Sequence, residues 1–124
     1  MIISTINAPK AIGPYSQAIV AGNLLFVSGC CSFLPEDGSV SSQTIIEQSK
    51  QALDNLKAIV EASGSNMSKV VKTTCFIRDM NNFSEFNEIY ASYFNGSFPA
   101  RSCVEVARLP KDVLIEVEAI VNLK

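Results

Sequence analysis

The chain has 124 residues, 48% of them apolar and 18% charged, with a formal net charge of −2 and a pI near 5.0. That length and apolar content fit one globular domain over residues 1–124 with a real core, and exclude a disordered or fibrous chain. The ten Lys and Arg residues are scattered singly, so nothing resembles the basic stripe that tracks a phosphate backbone, and nucleic acid is a poor first expectation as partner. The opening "MIISTINAPKAIGPYSQ" shows no charged leader followed by an apolar core, and no later stretch approaches the roughly twenty apolar residues of a membrane span. A cytoplasmic protein with no membrane partner is expected. Four cysteines occur without a CxxC pair and histidine is absent, so reduced thiols and no metal site are expected.

In chain order, "SQAIVAGNLLFVSG" gives two apolar runs around Gly22 and Asn23, which predicts a tight hairpin with strands over 16–21 and 24–29. Residues 44–63 carry Ile45, Ile46, Ser49, Ala52, Leu53, Leu56, Ile59 and Val60 at three- and four-residue spacing. That is an amphipathic helix, with Thr44 and Glu47 placed as a capping box and Gly64 as its stop. "KVVKTTCFIRD" alternates Val71, Thr73, Cys75 and Ile77 against Lys72, Thr74 and Phe76, a third strand. A second helix carries the stripe Phe83, Phe86, Tyr90, Tyr93 and Phe94, with Asn81 as its cap and Gly96 at its end. Strands over 102–107 and 113–121, joined by "LPKD", complete the order ββαβαββ. The fold class read from this order is α+β, with both helices on one face of a mixed sheet.

Several residues invite a chemical reading. Arg101 stands just before the strand of Cys103, Val104, Glu105, Val106 and Ala107, as a surface accident or as an anion clamp. In "DVLIEVEAIV", Glu116 and Glu118 share one strand face with Leu114 and Ile120. A solvated outer face is the ordinary explanation for two glutamates, but the apolar neighbours point to a cover, and covered carboxylates need a partner. From spacing alone, ion pairing of these acids with Arg101 and Arg108 ranks ahead of catalysis. Asn87 falls on the apolar stripe of the second helix, where a satisfied amide is the ordinary reading. Tyr15 follows a Gly-Pro pair and reads first as a packed ring. "VSGCC" ends a strand at Ser28 and Gly29, where a backbone can come close to a ligand. Cys103 has no histidine to activate it and reads as an inert thiol.

The segments "IGPYSQAI", "FVSG", "VVKTT", "NEIYASYF" and above all "PARSCVEVARLPKDVLIEVEAI" resemble, in order, the RidA/YjgF family of imine and enamine deaminases, across residues 6–121. The resemblance implies a chorismate-mutase-like α+β fold and a homotrimer with three sites at its subunit interfaces. It implies hydrolysis of 2-imino acids such as 2-iminopropanoate and 2-iminobutanoate to 2-keto acids and ammonia, with no metal and no cofactor. Carried over by residue, Arg101 is similar to the family's carboxylate clamp and Glu116 to the residue that positions the attacking water. Tyr15, Ser28, Gly29, Asn87 and Cys103 match pocket-lining positions. The chain departs from the family where "SGCCSFLPEDG" places Cys30, Cys31 and Ser32 in the loop after the second strand, and where "FNGSFPARS" is shorter than in some relatives. Two rival functions are a single-strand endoribonuclease that inhibits translation, and a binding or holdase protein without catalysis. Metal-free RNA cleavage usually leans on histidine, and an acidic chain opposes a polyanion.

Overall fold

The computed structural model describes residues 1–124 and contains eight helices and strands, β1 (Ile2–Ile3), β2 (Ala18–Ala21), β3 (Leu24–Cys31), α1 (Ile45–Ala62), β4 (Val70–Ile77), α2 (Phe83–Ala91), β5 (Ala100–Glu105) and β6 (Ile115–Asn122). The strands form one mixed sheet in the order β1-β2-β3-β6-β4-β5, in which β4 and β5 run parallel and every other pair is antiparallel. Both helices lie on one sheet face, and the α+β architecture is the one expected. The two-residue strand β1 lies outside the predicted elements.

The β2–β3 hairpin closes through Gly22 and Asn23, with Ala21 opposite Leu24. Gly22 sits at φ 62, a conformation that the primed hairpin turns demand and that glycine adopts without a Cβ clash. Helix α1 begins where the Thr44 side chain accepts a hydrogen bond from the Glu47 amide at 3.2 Å. The reciprocal half of the capping box is replaced by Ser42, whose Oγ accepts from the Thr44 amide. Helix α2 is shorter than predicted. Asp79, not Asn81, caps a 3₁₀ turn over Met80–Asn82 that leads into it, and the helix ends at Ala91 while Tyr93 and Phe94 continue in turns.

Strand alternation decides what each face carries. On the helix side, Ile115, Val117, Ala119 and Val121 of β6 are all buried, together with Leu25 and Val27 of β3 and Cys75 and Ile77 of β4. They pack against Leu53, Leu56 and Val60 of α1 and Phe86 and Tyr90 of α2 in one continuous core. The sequence grouped Val71 with Thr73, Cys75 and Ile77, but a bulge between Val70 and Lys72 shifts the register by one residue. Val70 is therefore the buried residue and Val71 is exposed, because one inserted residue reverses the facing of everything before it.

Gln48 ties the layers together. Its amide is fully buried, donates to the Ser42 carbonyl at 2.8 Å and accepts from the Leu114 amide at 2.7 Å, pinning the start of α1 to the entry of β6. Replacing Gln48 by Leu keeps the volume but strands both backbone groups. Each should cost roughly 1–3 kcal/mol, read as a fall in the denaturation midpoint at unchanged m-value; an unchanged midpoint would mean the Gln48 bonds contribute nothing.

Candidate active site

Arg101 lies inside β5 rather than before it, and its strand partner is Thr73 of β4. Thr73 is fully buried on the helix face, so Arg101 and Cys103 also point to that side, while Val104 points outward and is 46% exposed. Arg101 is half-buried under α2. Its guanidinium stacks against three rings, at 4.8 Å from the Tyr90 centroid, 5.4 Å from Phe83 and 6.0 Å from Phe86. Aromatic faces attract a cation but leave its N–H donors unused. Nη1 alone has an acceptor within the chain, Asn87 Oδ1 at 2.8 Å, out of five donors that a guanidinium offers.

This arrangement corrects the expected ion pairing. Arg101 forms no salt bridge within the chain, and Arg108 pairs with Asp112 at 2.7 Å rather than with Glu116 or Glu118. The Asn87 side-chain oxygen is paired, and its partner is the guanidinium itself. Tyr90 Oη is held at 2.7 Å from Thr73 Oγ1 beneath the same cation. The result is a half-buried positive group, aimed by Asn87 and the aromatic rings, with donors available for an anion.

Glu116 lies on the other sheet face. Its strand partners are Phe76 of β4 and Cys31 of β3, and its carboxylate borders a cavity of about 660 Å³ lined also by Tyr15, Ser28, Gly29 and Glu118. Between Val27 and Cys30 the β3–β6 register slips by one, so Ser28 and Gly29 together oppose Glu118 in a bulge. Gly29 is required there by space: a Cβ built on it would lie 2.7 Å from Glu116 Cδ and closer still to Oε2. Ser28 Oγ donates to the Ser16 carbonyl at 2.6 Å, so its hydroxyl braces the loop that carries Tyr15. Tyr15 is half exposed, with its hydroxyl 3.4 Å from the Ile12 amide.

Two residues outside the predicted site set build this side of the site. Gln17 is buried and makes an amide clamp, accepting from the Thr5 amide at 2.7 Å and donating to the Pro9 carbonyl at 2.8 Å, which fixes the N-terminal segment as a cavity wall. A glutamine at the start of an apolar run was the available signal. Cys31 is the second: its Sγ donates to Glu116 Oε1 at 3.0 Å. Its place in the strand was hidden because the prediction ended β3 at residue 29.

The seven sequence-predicted residues thus divide into two groups. Tyr15, Ser28, Gly29 and Glu116 gather at the outer cavity; Arg101, Asn87 and Cys103 gather on the helix face beside α2. Within one chain the sheet stands between them. None of the cysteines is activated. Burial pushes Cys30 and Cys75 up to about 12 and Cys31 further still, and it raises Cys103 despite the opposing Arg101 charge. At about pH 8, iodoacetamide should label the native protein far more slowly than the urea-unfolded chain, since the thiolate is the nucleophile. Native labelling as fast as in the unfolded chain would contradict these buried, protonated thiols.

A mixed sheet covered by helices on one face, with a carboxylate-lined cavity at the β3 bulge, defines a class of small α+β proteins. The chain belongs to the Endoribonuclease L-PSP family, whose sequence profile matches residues 5–123, and which is the RidA/YjgF family of the sequence resemblance. It is 52% identical over 121 residues to the 2-iminobutanoate/2-iminopropanoate deaminase of Escherichia coli, covering 95% of this chain and 94% of that protein. The YjgF gene product of E. coli superposes with a TM-score of 0.95 at 48% identity, over 100% of this chain and 99% of the other. E. coli TdcF, solved with bound serine, superposes with a TM-score of 0.94 at 42% identity, over 98% of each chain. No helix of this protein is long and apolar enough to cross a membrane.

Proposed function

We propose that the chain hydrolyses 2-imino acids, 2-iminopropanoate and 2-iminobutanoate among them, to 2-keto acids and ammonia, at sites completed between copies in a homotrimer. The observation that carries this reading is the half-buried Arg101, whose donors have only Asn87 as a partner in its own chain. A planar cation in that state suits a carboxylate, which it can grip with two parallel hydrogen bonds. A 2-imino acid presents such a carboxylate next to the reacting carbon. The naming of a relative at 52% identity as a deaminase of these compounds, and the serine bound to TdcF, support a small amino-acid-like ligand.

The chemistry asks for little more. Water adds to the electrophilic C=N carbon to give a carbinolamine, which collapses to C=O as ammonia leaves. Clamping the carboxylate on Arg101 supplies orientation. Glu116 orients the water, accepts one of its protons, and returns it to the departing nitrogen. Tyr15, Ser28 and Gly29 shape the wall around the carbon, and Cys103 and Asn87 lie beside the clamp. Assembly is supported by the outer sheet face, where Ile19, Phe26 and Val104 are 40–46% exposed around Ile120 and Phe76. An apolar face of this kind marks an interface, and a neighbour packed on it can bring its own Arg101 to Glu116.

The family's description carries the endoribonuclease reading. The chain lacks histidine, the usual side chain for metal-free cleavage of RNA, and offers no basic track for a phosphate backbone.

In a coupled assay that generates 2-imino acids in place, Arg101→Ala should abolish the acceleration of keto-acid release, and Arg101→Lys should fail substantially because a point charge does not reproduce the fork. Glu116→Gln should lower kcat by about 10²- to 10⁴-fold while a keto-acid analogue still binds. Full turnover by folded Arg101→Ala, or RNA cleavage without imine hydrolysis by the unmutated protein, would overturn the assignment.

A further inference from the structure

The Cys31 thiol makes one hydrogen bond. The side chain is buried beside Leu109 and Val113, with Phe33, Phe76 and Val106 packed around them, and its hydrogen bond goes to Glu116 Oε1 at 3.0 Å. The bond is not a chance meeting of two mobile groups. The Cys31 carbonyl accepts from Asn55 Nδ2 at 3.0 Å, and the Phe33 carbonyl accepts from the same nitrogen at 2.8 Å. Asn55 is itself buried on α1 and is oriented by Gln51 at 3.0 Å. The helix layer therefore fixes the Cys31 backbone, and through it the direction of the thiol.

On its far side the same carboxylate rests on Gly29, where there is no room for a Cβ. Glu116 is held between a hydrogen-bond donor and a bare backbone. We propose that Cys31 is a positioning residue for Glu116: its S–H occupies Oε1 and fixes the carboxylate rotamer, leaving Oε2, over Gly29, as the oxygen that receives the proton from water. A thiol suits the place because it is small and apolar enough for the Leu109–Val113 pocket, yet can donate. Burial and the adjacent carboxylate keep it protonated well above neutral pH, so the donor persists across the range in which such an enzyme works. A carboxylate free to swing between rotamers would present its base to the substrate only part of the time, which lowers kcat without weakening the carboxylate clamp on the opposite sheet face.

The inference rests on the hydrolase reading for its kinetic consequence, whereas the hydrogen bond can be tested without activity. The S–H stretching band of Cys31, identified by its loss in Cys31→Val, should shift to higher frequency in Glu116→Ala. An unshifted band overturns the proposal whatever the kinetics. With the band shifted, Cys31→Val, which keeps volume but removes the donor, should lower kcat by about 10- to 100-fold, the worth of a hydrogen bond to a charged group. KM and keto-acid binding should stay near those of the unmutated protein, and Cys31→Ser, which restores a donor, should recover most of the lost rate. Equal losses in Cys31→Val and Cys31→Ser, or no loss in either, would overturn the positioning role and leave the hydrolase reading standing. A shifted band in a protein that hydrolyses no imine, even unmutated, would overturn the hydrolase reading and the positioning role of Cys31 with it.

Discussion

The alternation of side chains along β4, β5 and β6 is the constraint from which the rest follows. Thr73, Arg101 and Ala119 stand in register on the helix face, and Phe76, Val104 and Glu116 stand in register on the other. A pleated strand cannot turn both sets to the same side. The cation that suits a carboxylate and the acid that suits a water are therefore separated by the thickness of a sheet. A one-residue slip between β4 and β6 would exchange the faces and bury Glu116 in the core, so the register is guarded by the same apolar residues, Val117 and Ala119 above all, that make the fold stable.

Each half of the proposed site is prepared by a different physical device. Arg101 is held by aromatic faces and one amide, which orient the guanidinium without neutralising it. A carboxylate in their place would have consumed the donors that a substrate needs. Glu116 accepts a hydrogen bond from a thiol and rests its carboxylate against Gly29, where the β3 bulge carries no side chain. Buried amides brace the segments around Glu116. Gln17 closes the N-terminal wall, Gln48 locks α1 to β6, and Asn55 sets the path of β3 beyond the bulge. Of the buried polar side chains, Gln17, Gln48, Asn55 and Thr73 are paired, while the hydroxyls of Ser32 and Ser49 have no partner within the chain.

The parts legible in the sequence were those governed by period and by turn chemistry. The hairpin at Gly22 and Asn23, the length of α1 and the facing of β6 all follow from local spacing, and Glu116 was assigned to the correct face with Glu118 and Ile120. The two bulges were not legible. A bulge adds one residue without changing composition, so alternation alone puts Val71 on the wrong face and ends β3 before Cys30 and Cys31. The ion pairing expected for Arg101 failed for a related reason: charge spacing along a chain carries no information about which sheet face a side chain takes until the register is known. Asn87, read as an amide in need of a partner, acquired its meaning only when α2 was laid over β5. Conversely, residue identity in the long block from Pro99 to Ile120 was sufficient to indicate the family, which the match over residues 5–123 establishes.

The proposed function requires Arg101 of one copy and Glu116 of another to complete a single site. It is tested most directly by mixing two inactive proteins, Arg101→Ala and Glu116→Gln, unfolding them together and refolding them as random assemblies. If each site takes one residue from each copy, mixed trimers contain one intact site, and the mixture should regain about a quarter of the unmutated activity, while each variant refolded alone stays inactive. A mixture that is as inactive as its components, with mixed trimers demonstrated by mass spectrometry, would contradict the account.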